Sequence, residues 1–288
     1  MKYEIANLKI KVLGTLDKAF LRRLKEYENE FDEDDYDVIF TNKEISNSIA
    51  IPYGTIISDA PPMYWIKLNN NEGYARYDNL PEFKEIFALI TADMEWKHIT
   101  AQFCSANILG LKEDNRVYIA LGEIMKLVAL KHNGMVIHSS AIAYKNNGII
   151  FSAPSGTGKS THTALWQKHF PETIILNDDL PIIREIDDKF YVFGTPWSGK
   201  TEVNCNSLAP LKAIIFLEQA KTNSIKQISG SEAIWRLINE TKKSEIDEMM
   251  NLTLNMIDKI LSKTPVYVLS CNISEDAVKL AQSILTDN

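Results

Sequence analysis

Apolar and polar positions first alternate in short runs and later recur at helical spacing, and that change divides the chain. Residues 5–13 (IANLKIKVL) alternate in part and predict a strand. Residues 16–30 set Ala19, Phe20 and Leu24 among charged positions, which predicts a helix. Five short apolar runs follow, at 37–41, 48–51, 55–58, 64–68 and 73–77. Pro52, Gly54, Pro61 and Asn69–Asn71 separate them, as turns separate strands. Residues 1–112 are therefore expected to be a small β-rich α+β domain with a helix or two.

From residue 113 the pattern changes to that of an α/β domain running to 288. Leu121, Ile124, Met125, Val128 and Leu130 predict a helix over 118–131, stopped by Asn133-Gly134. Short apolar strands are expected at 135–138, 140–144 and 148–152, with a turn at 145–148. Strands at 173–176, 212–217 and 266–269 then alternate with helices at 159–170, 231–242, 245–262 and 274–286. Ser274 caps the last helix, and Glu275 and Asp276 occupy its first turn. Trp166 and Trp235 fall in helices and are expected in the core.

Composition narrows the function classes. Hydrophobic residues make up 45% and charged residues 24% of 288, which excludes disorder as the main state. A net charge of -7 disfavours bulk nucleic-acid or anionic-membrane binding, without excluding a local phosphate pocket. The acidic run 26–37 fits a solvated helix end and loop better than a metal site. Cys104, Cys205 and Cys271 are too sparse for a disulfide framework and lack zinc spacing. The N-terminus carries no signal-peptide pattern, and no stretch reaches the ~20 apolar residues of a membrane helix. A cytoplasmic protein is the expectation.

The densest chemistry begins at Ala153-Pro154-Ser155-Gly156-Thr157-Gly158-Lys159-Ser160, between the strand 148–152 and a helical run. This is a Walker A pattern with Ala at the usual first Gly. Gly156 and Gly158 allow the backbone to turn N–H groups inward, and the helix start brings its positive dipole end to the same point. Ser155 to Thr161 are the expected nucleotide contacts. Lys159 can reach the β- and γ-phosphates, and the Ser160 hydroxyl can hold Mg²⁺.

The next strand ends in Asp178-Asp179, where one carboxylate can bind metal and the other can accept a proton. His138 precedes the loop, either as a functional group or as an ordinary structural histidine. His98, His132, His162 and His169 are expected to be structural. Gly194-Thr195-Pro196-Trp197-Ser198-Gly199-Lys200 is turn-rich. Lys200 can meet a phosphate and Trp197 a base or substrate, or the segment is a loop with one packed aromatic.

His138, the Walker A loop and Asp178-Asp179 occur in the order and spacing that resembles the C-terminal domain of HPr kinase/phosphorylase, whose fold is shared with phosphoenolpyruvate carboxykinase. The run from Ser160 to Trp166, Asn177-Asp178-Asp179 and Gly194 to Lys200 look most like the HPr-kinase-like serine kinases of bacterial peptide-modification clusters. The likeness covers 130–220 well and 220–288 loosely. It implies ATP and Mg²⁺ as cofactors. It also implies a catalytic set of Asp178, Asp179, His138 and Lys159, and a metal site of Ser160 and Asp179. A peptide or protein acceptor and a homo-oligomer are implied as partners, with no nucleic acid and no membrane. The Leu-Glu-x-Arg-Gly-type signature of true HPr kinases is absent, as is a recognisable basic C-terminal loop. HPr itself and phosphorolytic reversal are therefore not carried over.

The leading expectation is an ATP-dependent kinase acting on a hydroxyl, serine first. A carboxykinase-like or other small-molecule phosphotransferase would want a pocket lined by Arg, which is scarce here. A non-catalytic ATP-dependent binding switch would need no base, and the Asp178-Asp179 pair and His138 argue against it.

Overall fold

A computed structural model describes residues 1–45, 48–79, 86–104, 115–241 and 244–285. The chain forms two units, one of residues 1–131 with 245–249, the other of 132–244 with 250–288. The domain boundary expected at 112/113 lies outside the described residues.

The first unit opens with a hairpin, β1 (Lys2–Ile5) and β2 (Leu8–Leu13), where one strand was expected. Ala6 and Asn7 both take positive φ, 54° and 57°, so a two-residue turn folds the strand back without the glycine that usually signals one. Helix α1 (Lys18–Leu24) starts at Asp17, whose carboxylate accepts from the Phe20 N–H at 2.8 Å. A 3₁₀ turn, Lys25–Tyr27, ends the helical run short of residue 30. The sheet continues with β3 (Val38–Ile45), β4 (Gly54–Ser58), β5 (Met63–Leu68), β6 (Tyr74–Asp78), β7 (Ala88–Ala92) and β8 (His98–Cys104). Their order is β1-β2-β3-β8-β7-β6-β5-β4. The strand expected at 48–51 is absent, and β7 and β8 were not anticipated. Lys9 and Lys11 point outward from β2 and meet the acidic run, Lys9 on Asp35 and Lys11 on Glu33. Helix α2 (Arg116–Lys131) closes the contiguous part of this unit.

The second unit holds β9 (Gly134–Val136), β10 (Ser139–Tyr144), β11 (Asn147–Ser152), α3 (Lys159–His169), β12 (Ile174–Asn177), β13 (Ile182–Ile186) and β14 (Lys189–Phe193). After these come β15 (Leu208–Gln219), β16 (Ser224–Ile228), α4 (Gly230–Glu240), α5 (Asp247–Lys263), β17 (Val266–Cys271) and α6 (Glu275–Ser283). The first residues of α5 belong to the first unit. The sheet runs β12-β10-β11-β15-β14-β13-β9, with β17 on β15 and β16 on β17. The start of β15 pairs antiparallel with β14, and its remainder pairs parallel with β11 and β17. Since β12 and β11 both run antiparallel to β10, the carboxyl ends of β11, β12, β15 and β17 share one edge with the start of β10. That edge is where open α/β sheets place ligands.

β11 is buried on both sides, as its apolar run of Ile149, Ile150 and Phe151 requires. Phe151, Trp166, Ile215, Leu269 and Val278 share one core cluster. Trp166 is fully buried as expected, but Trp235 is 64% exposed, which corrects its placement in the core. The buried stripe of α4 is Ala233 and Leu237, four residues apart, and Trp235 lies off that stripe. Among the described residues no helix is long and apolar enough to cross a membrane.

Candidate active site at the carboxyl edge of the second sheet

The loop after β11 is wound by Gly156 at φ +82° and Gly158 at φ +117°. A Cβ at either would meet nothing within 4 Å, so backbone conformation, not crowding, demands glycine. The His162 N–H donates to the Gly158 carbonyl at 2.9 Å, which starts α3 directly from the loop. Ser155, Gly156, Ser160 and Thr161 are exposed, and Thr157 is half-buried. A loop of this kind at a helix start can receive an anion through its N–H groups.

Lys159 is 8% exposed and its ammonium donates to the Ala153 carbonyl at 2.7 Å. Burial lowers its pKa, opposed by the charges of Glu240, Asp179 and Asp178. Three carboxylates thus face one desolvated cation. Asp178 accepts a hydrogen bond from the Ser140 hydroxyl at the start of β10. His138 lies between two acids, with Nε2 3.6 Å from Asp179 Oδ1 and Nδ1 3.1 Å from Glu240 Oε2. Its backbone is fixed as well. The His138 N–H donates to the Glu240 carbonyl, and its own carbonyl accepts from the Ser152 hydroxyl. His138, Lys159, Asp178 and Asp179 are therefore brought together, while Glu240 and Ser140 were not anticipated.

Asn177 builds the turn that presents the aspartates. Its side-chain oxygen accepts from the Asp179 N–H at 2.8 Å and the Leu180 N–H at 2.7 Å. Its amide nitrogen donates to the Thr195 carbonyl at 2.8 Å and the Trp197 carbonyl at 3.2 Å. That ties the aspartate turn to the Gly194–Lys200 segment. Gly194 is required there, because a Cβ would lie 1.9 Å from the Cys205 carbonyl oxygen. Trp197 is buried, so of the two readings the packed aromatic holds. Gly199 packs against Asp179, and the Lys200 side chain is exposed beyond it.

His162 is structural, as expected. Its Nε2 accepts from the Trp166 indole N–H at 3.2 Å, and burial lowers its pKa to about 4.

Among the described residues no three His, Cys, Asp or Glu converge into a preformed metal cage. Mg²⁺ is ordinarily held by one or two carboxylates together with phosphate oxygens and water. Half-exposed Asp178 and Asp179 and the exposed Ser160 hydroxyl are oxygen donors of that type.

Fold and site together define a mixed α/β protein with two sheets and a glycine-wound loop facing an acidic cluster. The family described as SynChlorMet cassette protein ScmC matches residues 108–279, and the chain belongs to that family. No curated protein matches. Among solved structures, the Hpr(Ser) kinase/phosphatase from Coxiella burnetii is similar over 53% of this chain and 89% of that one. The identity is 8% and the TM-score 0.33.

Proposed function

We propose that this protein is an ATP- and Mg²⁺-dependent kinase that transfers the γ-phosphoryl group to a hydroxyl, with serine of a peptide or protein as the acceptor. The observation that carries the reading is the buried Lys159 at the end of a Walker A loop, with His138 set between Asp179 and Glu240 and Asp178 bonded to Ser140. Binding alone needs the loop and the lysine. It does not need carboxylates able to take a proton.

In this reading the loop N–H groups from Ser155 to Thr161 and the Lys159 ammonium hold the triphosphate. Ser160 and Asp179 would hold Mg²⁺, which supplies charge neutralisation on the β- and γ-oxygens. The acceptor oxygen bonds to the γ-phosphorus as the bond to the β,γ-bridging oxygen breaks. ADP leaves with that electron pair, and the acceptor proton passes to the Asp178–Asp179 pair. His138 orients Asp179 and is itself held by Glu240. Lys200, exposed at the end of the Gly194–Lys200 segment, would meet the phosphate in this reading. The β-rich unit is the proposed place of acceptor recognition.

A carboxykinase-like reading is weaker, because the nearby arginines are engaged. Arg184 donates to the His132 carbonyl, and Arg236 pairs with Glu218 and Glu232.

The test uses γ-labelled ATP with Mg²⁺, a serine-containing peptide pool and a cell extract, with wild type beside Lys159→Ala and Asp179→Ala. Label on a peptide or protein with wild type alone is the expected result. ATP binding with label released only to water would favour the binding switch. No ATP binding would remove the whole reading.

A further inference from the structure

A cavity of about 360 Å³ opens between helix α4 and the start of the Walker A loop. Helix α4 lines it with Glu232, Trp235, Arg236, Asn239 and Glu240. Strand β15 adds Phe216 and Leu217, and the loop adds Ala153 and Pro154. The five helix positions are spaced i, i+3, i+4, i+7 and i+8, which is one stripe of an α-helix. This stripe is separate from the buried one of Ala233 and Leu237. Trp235 is 64% exposed because it stands on the stripe that faces the cavity.

Two residues of this lining also touch the catalytic cluster. The Ala153 carbonyl accepts from the Lys159 ammonium at 2.7 Å. Glu240 Oε2 lies 3.1 Å from His138 Nδ1, and the other ring nitrogen of His138 lies 3.6 Å from Asp179. Trp235 precedes Glu240 on the same stripe by a rise of about 7.5 Å along the helix. An extended peptide advances roughly 3.3 Å per residue. A chain whose hydroxyl meets the aspartate pair, and which follows α4 outward, brings a side chain onto Trp235 roughly two to four residues from that hydroxyl.

The lining also selects the chemistry of that chain. Trp235 offers a large apolar surface of the kind that anchors a partner's side chain. The charged groups on the cavity are Glu232, Arg236 and Glu240. The Arg236 guanidinium is already committed, 2.7 Å from Glu218 and 3.5 Å from Glu232, and it lies over the Phe216 ring. Carboxylates therefore outnumber the cation, and an acidic side chain entering here would meet like charge. We propose that this cavity is the acceptor subsite. It takes a peptide segment with an apolar side chain about two to four residues from the serine, and it rejects an acidic one at that position. This rests on the kinase reading. It concerns only the residues next to the serine, and recognition by the β-rich unit concerns the rest of the acceptor.

The test uses the full chain with γ-labelled ATP, Mg²⁺ and serine peptides in which each flanking position is varied in turn. Wild type is expected to favour Leu or Phe over Asp at one such position by about tenfold or more, the scale of an apolar contact. Trp235→Ser should lose that selection through a higher peptide KM and not a lower kcat, at an unchanged melting temperature. Trp235→Phe should restore it. Transfer by wild type without any flanking preference, or the same preference in Trp235→Ser, would overturn the subsite while leaving the kinase intact. A second readout is independent of rates. A preferred peptide carrying benzoylphenylalanine at the selected position should crosslink within 232–240, and crosslinking confined to other segments would overturn the subsite. ATP binding by wild type with no transfer to any peptide would instead remove the reading beneath, and the subsite with it.

Discussion

Lys159 and His162 are both buried at the start of α3, and burial has a different consequence for each. At Lys159 it lowers the pKa, against the opposing charges of Glu240, Asp179 and Asp178. At His162 it removes a charge. The folded pKa of about 4 lies below the ordinary 6.5. Above pH 6.5 both folded and unfolded states hold a neutral ring, so its contribution is fully present. Between 6.5 and 4 the unfolded chain takes up a proton that the folded chain refuses, and stability falls with pH. The full loss is about 3 kcal/mol, at about 1.4 kcal/mol per unit. His162→Gln keeps an acceptor for the Trp166 indole but does not titrate. Urea unfolding at pH 7, 5.5 and 4.5 should show a shallower decline for the variant, and an unchanged slope would contradict this account. The acids can be separated by isosteric change. Asp178→Asn and Asp179→Asn should each lower phosphoryl transfer by about 10²-fold or more, the range for a lost general base. Glu240→Gln should cost less, about tenfold, because it weakens the contact that holds His138 in place. Initial rates across pH 6–9 would check all three, and Glu240→Gln with wild-type rates would remove its positioning role.

At the scale of elements, the turn after β12 depends on one side chain. Asn177 is fully buried and bonds to both the aspartate turn and the Gly194–Lys200 segment. Asn177→Leu fills similar space but leaves the Asp179 and Leu180 N–H groups without their partner. A loss of about 3 kcal/mol follows from orphaning these partly buried donors together with the buried Thr195 and Trp197 carbonyls. Activity should fall further than stability alone explains, because Asp179 would be released. Denaturation midpoints beside initial rates would show it, and wild-type stability would refute the hub.

The loop itself was legible in sequence, because glycines, lysine and flanking strand and helix all occur within a few residues. Hairpin turns were less so. Ala6-Asn7 and Asp187-Asp188 take positive φ without any glycine, so β1–β2 looked like one strand and β13–β14 went unnoticed. Trp235 was misplaced because helical spacing alone did not show which face of α4 is buried. Glu240 could not be found at all, since it meets His138 from 102 residues away through the fold.

At the scale of the molecule, the two units are not two consecutive lengths of chain. Residues 245–249 return to the first unit after the second has largely been built. Within the first unit Glu248 accepts from Lys131 at 2.6 Å and from the Tyr74 hydroxyl at 3.3 Å. Ile246 and Met249 are almost completely buried. A cut between 131 and 132 therefore takes two large apolar side chains and a shared carboxylate from the first unit. Burial of such side chains is worth roughly 1.5–3 kcal/mol each. Their loss removes several kcal/mol from a domain whose total stability is typically about 5–15 kcal/mol. Fragment 1–131 should unfold at a clearly lower urea concentration than the same unit in the whole chain. A synthetic peptide of residues 244–263 added in excess should restore part of the difference by mass action. The complementary fragment, 132–288, should aggregate more readily, because Ile246 and Met249 lose their cover. A fragment 1–131 as stable as the intact unit, unaffected by the peptide, would show the return segment to be dispensable. Acceptor recognition by the β-rich unit could then be tested by simple truncation. If the segment matters, that question has to be asked in the full chain, with surface substitutions in place of deletions.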